Sequence, residues 1–297
     1  MFKGSITALI TPLKNGKVDE KAFQDLIEWQ INQGSHGFVP CGTTGESPTL
    51  THEEHERVID LCIEAANGKV PVIAGTGSNS TDEAISLTKF SKGAGADAAL
   101  VVTPYYNKPT QEGLYHHFKA INDSCDLPII IYNIPGRSVV DINIETMKKL
   151  AKLKNIIGVK DSSNDLTRPL LTTKSIGKNF CQISGEDATV VPFLSQGGHG
   201  CISVTANIAP KMCSDLHNAW QKGNFKKVQS LNSFLFPLHN VLFLETSPGP
   251  VKYAASLLKI CSEELRLPLV KVAPNTKKEI KLILTKLKIK PIKKNKC

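Results

Sequence analysis

Short runs of apolar and β-branched residues recur along the chain at near-constant intervals. Continuous apolar runs of this length are typical of strands that are buried on both faces of a parallel sheet. The eight runs cover residues 6–10, 37–39, 70–74, 98–103, 128–132, 156–160, 182–184 and 201–204. Each run is therefore predicted to be one strand of a parallel sheet.

Between these runs, apolar residues recur with the period of amphipathic helices. The helical segments cover residues 20–31, 54–66, 82–91, 111–122, 144–153 and 166–176. Two segments open with capping residues, since Thr51 stands three positions before Glu54 and Ser80 three positions before Glu83. Strands that alternate with helices through eight units predict an α/β fold, a (β/α)8 TIM barrel.

The pattern becomes wholly helical after about residue 206, through segments 210–217, 226–241, 250–259 and 277–287. We therefore predict a barrel core over residues 1–206, through strand eight, followed by C-terminal helices and a basic tail over residues 207–297 within the same structural unit. The helical appendage is expected to pack on the barrel or on a partner subunit.

The net charge of +9 is concentrated at one end of the chain. Residues 271–297 contain ten lysines and a single acid, Glu279, whereas residues 1–270 are neutral. A neutral body argues against a nucleic-acid groove. The tail is either a basic interaction arm or, the reading we favour, a solvated and partly helical C-terminus.

The cysteines are scattered, without a C-x-x-C pair or a clustered metal-ligand spacing, and most fall in apolar patterns. They are expected to be reduced residues of the interior. No window has the length and apolarity of a membrane span, and residues 1–5 do not begin a signal sequence. We predict a cytoplasmic protein with no membrane partner.

Lys160 ends the sixth apolar run, so its stem is expected to be buried and its amine to emerge where a strand ends. An apolar surround disfavours the ammonium and lowers the pKa toward the neutral amine that attacks carbonyl groups. The alternative is that Lys160 merely marks the point where a strand meets solvent.

Active sites of barrel enzymes lie at the C-terminal ends of the strands. The residues at those ends include one lysine, three tyrosines and one arginine, without a metal-binding triad. This set favours carbonyl chemistry through an amine over metal-assisted hydrolysis. The candidates are Thr11, Thr43, Thr44, Gly45, Glu46, Gly75, Thr76, Gly77, Tyr105, Tyr106, Asn107, Tyr132, Asn133, Arg137, Lys160, Asp161, Gly185, Glu186 and Ser203.

Two other motifs are set aside. His52 and His55 are three positions apart, whereas the zinc motif H-E-x-x-H needs four. The Gly75–Thr76–Gly77 turn lacks the third glycine of a dinucleotide fingerprint. We expect neither a metal nor an organic cofactor.

The chain resembles the dihydrodipicolinate synthase (4-hydroxy-tetrahydrodipicolinate synthase) family, within the pyruvate-dependent class I aldolases. The resemblance runs from residue 4 to about 269. It rests on GTTGES at 42–47, VIAGTG at 72–77, TPYYN at 103–107, QEGLY at 111–115, YNIPGR at 132–137, GVK at 158–160 and ISVTAN at 202–207.

The resemblance implies a condensation of pyruvate with aspartate semialdehyde on the diaminopimelate route to lysine. Lys160 would form the imine, while Tyr132 would move protons, linked through Thr43 to Tyr106 of a neighbouring subunit. Pyruvate would be held by Thr44 and by the backbone at Gly185 and Ile202. The resemblance also implies a homo-oligomer, a tetramer by family.

Arg137 would bind the carboxylate of the semialdehyde, because a planar fork of donors suits that group. The alternative is another pyruvate-dependent aldolase, acting on sialic acid or a keto-deoxy sugar acid. The sialic acid lyases do not keep an arginine at this position, so Arg137 favours the semialdehyde. A rival from another class is a catalytically silent barrel that binds lysine.

A second cluster matches the site at which lysine-inhibited family members hold lysine at a subunit interface. A carboxylate such as Glu83 would bind the ammonium of the effector, while Asn79 and Tyr105 would bind its carboxylate. The alternative is a solvated helix start. The matching residues are Ser47, Pro48, His52, His55, Asn79, Glu83 and Tyr105.

Four positions depart from the family pattern. Ser247 and Gly249 replace Asn and Ile in the run Asn-Pro-Ile-Pro-Val-Lys, and Ser138 replaces Thr. The first two changes are expected to loosen packing near the C-terminal helices. Pro48 stands where a small residue is common, which puts the strength of the effector site in doubt.

Overall fold

Eight parallel strands form the centre of the protein within residues 1–292, which the computed structural model describes. The strands are short, and all their residues except Val102 and Ile157 are buried, as the apolar runs predict. The strands are β1 (Gly4–Ala8), β2 (Gly37–Val39), β3 (Ile73–Gly75), β4 (Ala98–Val102), β5 (Ile129–Asn133), β6 (Ile156–Asp161), β7 (Cys181–Ser184) and β8 (Gly200–Ser203).

The sheet closes on itself into a barrel. Its strand order is β2-β1-β8-β7-β6-β5-β4-β3, and a single parallel bridge between Phe38 and Val72 joins the two ends. The predicted (β/α)8 TIM barrel is thus confirmed. The third strand begins at Ile73 rather than at residue 70, because Pro71 has no N–H to contribute to a ladder.

Helices surround the barrel and continue beyond it. Every predicted helical segment is present, with ends shifted by a few residues. The helices are α1 (Glu20–Asn32), α2 (His52–Ala66), α3 (Thr81–Ala94), α4 (Gln111–Ser124), α5 (Pro135–Ser138), α6 (Ile144–Leu150), α7 (Arg168–Ile176), α8 (Val190–Ser195), α9 (Pro210–Gln221), α10 (Phe225–Val241), α11 (Gly249–Leu257) and α12 (Pro274–Lys286).

The predicted caps form. The Thr51 hydroxyl accepts from the Glu54 N–H while the Glu54 carboxylate accepts from the Thr51 N–H, and the Ser80 hydroxyl accepts from the Glu83 N–H. The pattern did not predict α5, α8 or a hairpin of Leu13–Lys14 with Lys17–Val18. These elements are too short to display a period.

The core has two layers that follow from the alternation of side chains along each strand. Ile130 and Tyr132 of β5 face the barrel interior with Ile6 and Ile202, whereas Ile131 faces the helices. Of the C-terminal helices, α9 packs against β1, and α11 packs against the turn that follows β8. The appendage therefore covers the barrel, while the division into residues 1–206 and 207–297 stays a prediction.

The described cysteines are free, and five of them are buried: Cys41, Cys62, Cys181, Cys201 and Cys213. Burial raises the pKa of the Cys181 thiol to about 11, so this residue stays a neutral thiol at physiological pH. The predicted interior position is confirmed for these five. Cys297 and the tail lysines Lys293, Lys294 and Lys296 lie outside the described residues.

Among residues 1–292, none of the helices combines the length and the apolarity that crossing a bilayer requires.

His117 on α4 provides a test of the core. Its side chain is buried, Nδ1 lies 3.0 Å from Thr81 Oγ1, and burial lowers the pKa from 6.5 to about 4. The unfolded chain binds a proton at this residue below pH 6.5, and the folded chain does so only near pH 4. The contribution of the neutral His117 to the free energy of unfolding is therefore complete above pH 6.5 and is lost as the pH falls toward 4.

We expect His117→Gln to flatten the pH dependence of the free energy of unfolding by about 1.4 kcal/mol per pH unit within that window. Urea unfolding at several pH values measures this slope. His116→Gln is the matched control, because the neighbouring His116 side chain is 68% exposed. Equal slopes in the two variants would contradict the lowered pKa of His117 as the source of this pH dependence.

Candidate active site

Lys160 lies inside the barrel near the C-terminal end of β6. Its partner in the parallel ladder is Tyr132 of β5, so the two side chains lie next to each other on the inner face. The Lys160 Nζ atom is 3.9 Å from the centroid of the Tyr132 ring. Lys160 is 7% exposed and Tyr132 is 6% exposed. The amine is thus shielded from bulk water and adjoins a phenol.

Hydrogen bonds from both neighbouring strands fix the end of β6. The Ser162 N–H donates to the Asn133 carbonyl and the Gly185 N–H donates to the Asp161 carbonyl, each at 2.8 Å. The Asp161 carboxylate faces outward, where it accepts from Arg168 Nε at 3.1 Å and Asn133 Nδ2 at 3.2 Å. The backbone that carries Lys160 is therefore held on both sides.

Gly185 lies close to the side chains of Ser162 and Lys160. A Cβ atom there would lie 1.9 Å from Ser162 Oγ and 3.0 Å from Lys160 Cε. Ser162 Oγ is itself buried, and its hydrogen bond to the Glu186 carboxyl group opposes the rise that burial causes in the pKa of Glu186. Ser162 was not among the predicted site residues, although it stands two positions after Lys160 and so shares that residue's side of the strand.

Glu186 brings a carboxyl group to the same place. Burial raises its pKa, while the nearby charges of Lys160 and Arg137 act in the opposite direction. The Glu186 N–H donates to the Ser184 hydroxyl at 3.0 Å, which fixes the start of this loop. The chain thus places an acid of raised pKa beside the amine.

Thr43 and Thr44 belong to a 3₁₀ turn, Thr43–Gly45, that follows β2. Thr44 is buried and Thr43 is half-buried. The Thr11 hydroxyl donates to the Gly45 carbonyl at 2.7 Å, which ties the turn to the end of β1. Within one chain, no hydrogen bond of the described residues joins Thr43 to Tyr132 or Tyr106.

Tyr106 stands apart from the other predicted catalytic residues. Its side chain is 88% exposed, and its backbone has a φ of +68°, in the left-handed region that few residues other than glycine adopt. A large aromatic side chain is held outward at this position. Within a single chain it does not contact Tyr132 or Thr43.

Arg137 lies on the short helix α5, just after β5. It is exposed, and its Nη2 donates to the Ser247 carbonyl at 3.4 Å. The hydroxyl of the neighbouring Ser138 is buried, and its single proton can be donated to either the Ile134 or the Val140 carbonyl, each 2.9 Å away. Ile202, the last of the predicted substrate residues, is buried on β8 opposite Ile6 of β1.

The structure brings His52, Glu83 and Tyr105 of the second predicted cluster together near the starts of α2 and α3. His52 Nε2 lies 2.6 Å from Glu83 Oε1, and the Ser78 hydroxyl donates to the other carboxylate oxygen. These partners, Ser78 first, lower the pKa of Glu83. Burial, with the Glu83 charge, raises the pKa of the Tyr105 phenol. Glu83 is thus an ionised carboxylate between His52 and Tyr105.

The remaining residues of this cluster have different surroundings. His55 is buried, with Nε2 2.7 Å from the Gly75 carbonyl oxygen, and burial lowers its pKa. The Asn79 carbonyl accepts from Asn107 Nδ2 at 2.9 Å. Ser47 is half-buried and Pro48 is exposed, in the turn before α2. His52 and His55 therefore hydrogen-bond to different groups, although the charges of both help to lower the pKa of Glu83.

Residues 1–292 contain no group of three or more His, Cys, Asp or Glu side chains placed to hold a metal ion.

The buried Lys160 lies beside Tyr132 at the C-terminal rim of a (β/α)8 barrel. This arrangement defines a class of barrel enzymes in which an amine can react with a carbonyl compound. The match to a family model narrows this class. Residues 1–287 match the model of the dihydrodipicolinate synthetase family. The chain belongs to this family.

Individual relatives agree with the family. The chain is 64% identical over 286 residues to the 4-hydroxy-tetrahydrodipicolinate synthase of Rhodospirillum centenum, which covers 96% of this chain and 98% of the relative. It is 45% identical to the chloride-inhibited dihydrodipicolinate synthase of Acinetobacter baumannii complexed with pyruvate, with a TM-score of 0.95 and coverage of 97% and 100%. It is 36% identical to the lysine-bound enzyme of Cyanidioschyzon merolae, with a TM-score of 0.94 and coverage of 97% and 99%.

Proposed function

We propose that the protein is a 4-hydroxy-tetrahydrodipicolinate synthase, which condenses pyruvate with L-aspartate 4-semialdehyde through a Schiff base on Lys160. The observation that carries this proposal is the buried Lys160 amine, 3.9 Å from the Tyr132 ring centroid at the barrel mouth. The names of close relatives support it, since the Rhodospirillum centenum enzyme is 64% identical. The reaction belongs to the diaminopimelate route of lysine biosynthesis.

Lys160 supplies the covalent step. The neutral amine attacks the keto carbon of pyruvate, and loss of water leaves an iminium bond. This bond draws electrons from the methyl group, so that loss of a methyl proton gives an enamine. The enamine carbon then attacks the aldehyde of the second substrate, and the amino group of that substrate displaces Lys160 to close the ring.

Tyr132 is the proton carrier in this scheme. Its ring borders Lys160, so its hydroxyl can protonate the hydroxyl that leaves as water and take protons back in later steps. Thr43 and Tyr106 would complete a relay to solvent. Because Tyr106 is exposed in one chain, we assign the relay position to Tyr106 of a neighbouring subunit in a homo-oligomer, a tetramer by family.

The turn Thr43–Gly45 is suited to the pyruvate carboxylate. The first N–H groups of a helical turn have no partner inside the turn and attract anions. We therefore assign the carboxylate to the Thr44 hydroxyl and the N–H groups of Thr43 and Thr44. Ile202 is on β8, which only β1 separates from β2 in the sheet, and we assign its backbone to pyruvate as well.

The Gly185 backbone needs a more specific assignment. Its N–H already donates to the Asp161 carbonyl at 2.8 Å, so the group that can bind a ligand is the carbonyl oxygen. A carbonyl oxygen accepts hydrogen bonds and repels a carboxylate. We assign the Gly185 carbonyl to the N–H of the protonated imine instead of the pyruvate carboxylate.

Borohydride reduction in the presence of pyruvate tests the proposed function. We expect a pyruvyl adduct that maps to Lys160 by mass spectrometry, because reduction converts the imine to a stable amine. Lys211→Met is a suitable control, since it removes a lysine whose side chain is 59% exposed. An adduct at any other residue, or no adduct, would overturn the mechanism.

We further propose that lysine inhibits the enzyme at the cluster around Glu83. The ionised Glu83 carboxylate beside Tyr105 suits the ammonium and carboxylate of a lysine molecule, and the relative from Cyanidioschyzon merolae has lysine bound. Tyr105 adjoins Tyr106, which gives the effector a short route to the proton relay.

Inhibition assays test this effector site. We expect Glu83→Gln to raise the lysine concentration for half-inhibition by about 10-fold or more, because a charge-assisted hydrogen bond is lost. Glu112→Gln is the matched control, since Glu112 is a 67% exposed carboxylate that also pairs with a histidine. Insensitivity of the unchanged protein to millimolar lysine would contradict the proposal.

We also propose that the protein acts in the cytoplasm.

A further inference from the structure

Lys252 and Glu46 form an ion pair that is almost completely buried. Their side chains are 0% and 2% exposed, and Lys252 Nζ lies 2.6 Å from Glu46 Oε1. Removing two charges from water is costly, and apolar side chains of similar volume often give equal or greater stability. The pair is thus poorly explained as a device for stability alone.

Glu46 occupies an unusual backbone position. It has a φ of +58° and joins the 3₁₀ turn Thr43–Gly45 to a second turn, Ser47–Thr49. The left-handed region disfavours side chains larger than glycine. Contacts of the Glu46 side chain therefore hold the backbone of both turns in place.

Both oxygens of the Glu46 carboxylate are bound by the C-terminal part of the chain. Lys252 Nζ donates to Oε1, and the backbone N–H of Arg266 donates to Oε2 at 3.1 Å. The Arg266 side chain adds a further hydrogen bond, since its Nη1 donates to the Thr49 carbonyl at 2.7 Å. Two donors from residues beyond the barrel thus fix one carboxylate between the two turns.

The helix that carries Lys252 also adjoins the other side of the site. Lys252 is on α11, which begins at Gly249, and the carbonyl of Ser247 just before it accepts from Arg137 Nη2 at 3.4 Å. One segment of the appendage therefore contacts the arginine assigned to the semialdehyde and the loop assigned to pyruvate.

We propose that Glu46 and Lys252, supported by Arg266, are positioning residues that set the place of Thr43 and Thr44 relative to Lys160. This inference rests on the proposed function, in which those threonines bind pyruvate and relay protons. A displacement of about 1 Å in such groups can lower the rate about 100-fold. The contribution of the pair is geometric, since neither side chain touches the substrate.

The variants are chosen to separate position from stability. In Glu46→Gln, one carboxylate oxygen becomes an NH₂ donor that faces either Lys252 Nζ or the Arg266 N–H, both donors themselves. The double variant Glu46→Gln/Lys252→Met has no buried charge and keeps an acceptor for Arg266. Its thermal midpoint should equal or exceed those of the single variants.

We expect the double variant to show a KM for pyruvate that is raised about 10-fold, a lower kcat and slower borohydride capture of pyruvate on Lys160. The KM for aspartate semialdehyde should change little, because Arg137 is unaltered. If the ion pair only stabilised the fold, the double variant would not raise the KM for pyruvate while leaving the KM for aspartate semialdehyde unchanged. Lys211→Met, which removes an exposed ion pair on α9, should leave all constants unchanged.

A second variant covers the case in which the double variant does not fold. Arg266→Gln changes a partly buried side chain, removes its bond to the Thr49 carbonyl and should give the same split between the substrates. Unchanged constants in a folded double variant, or in Arg266→Gln, would overturn the inference while leaving the proposed function intact. No adduct on Lys160 in the unchanged protein would overturn both.

Discussion

Lys160→Ala should lower kcat by about 10⁴-fold or more, because removing the nucleophile abolishes the covalent intermediate on which all later steps depend. Lys160→Arg should be equally inactive, since a guanidinium keeps its proton and cannot form the imine. Steady-state assays with coupled detection of the product measure the loss. Circular dichroism should show an unchanged fold for Lys160→Ala, because the space left by the shorter side chain lies at the barrel mouth.

The Ala variant should also fail to give a pyruvyl adduct on reduction with borohydride. A Lys160→Ala protein that retains more than about one hundredth of the activity would show that the chemistry does not need an imine at this residue. The assignment of Lys160 would then be wrong, whatever its surroundings.

Arg137→Gln should lower kcat/KM for aspartate semialdehyde by about 100-fold or more, since the substrate carboxylate loses a charge-assisted pair of hydrogen bonds. The KM for pyruvate should change little, because pyruvate is assigned to the opposite side of the site. Arg137 is exposed and makes one long hydrogen bond, to Ser247 at 3.4 Å, so the fold should not change.

The control for Arg137 is Arg57→Gln, which removes a half-exposed arginine on α2 that pairs with Glu20. That variant should keep the kinetic constants of the unchanged protein. If Arg137→Gln raised the KM values of both substrates equally, the arginine would not select the semialdehyde, and the rival aldolase reactions on sugar acids would regain support.

The barrel could be predicted from the sequence because its strands are buried on both faces. Such strands are continuous apolar runs, and the runs at 128–132 and 156–160 match the observed Ile129–Asn133 and Ile156–Asp161 within one residue at each end. The third strand was less accurate, since Pro71 prevents a ladder where the apolar run begins. The helix α8 contains Pro192 and six residues in all, too few to show a period.

The burial of Lys160 could be predicted from the sequence, while the catalytic roles of the site residues stay predictions. Lys160 follows an apolar run, and the ladder then sets it beside Tyr132. The ion pair of Glu46 with Lys252 joins residues that are far apart in sequence, and no local pattern shows such a contact. Their burial had to come from the folded structure.

The departures in the segment before α11 illustrate the same limit. Looser packing there stays a prediction; in this chain Ser247 is buried, and a Cβ atom on Gly249 would lie 3.1 Å from Val272 Cγ1. The small residue at 249 thus lies close to its neighbour, which a comparison of residue types could not show.

The joint between β2 and β3 has the shortest ladder of the barrel, the single bridge between Phe38 and Val72. Two backbone hydrogen bonds also cross it, from the Phe38 N–H to the Pro71 carbonyl and from the Gly75 N–H to the Pro40 carbonyl. Parts of a fold with few hydrogen bonds and contacts open at a lower free energy than the rest. The turn Thr43–Gly45 follows β2, so local opening at this joint would displace the turn to which we assign the pyruvate carboxylate.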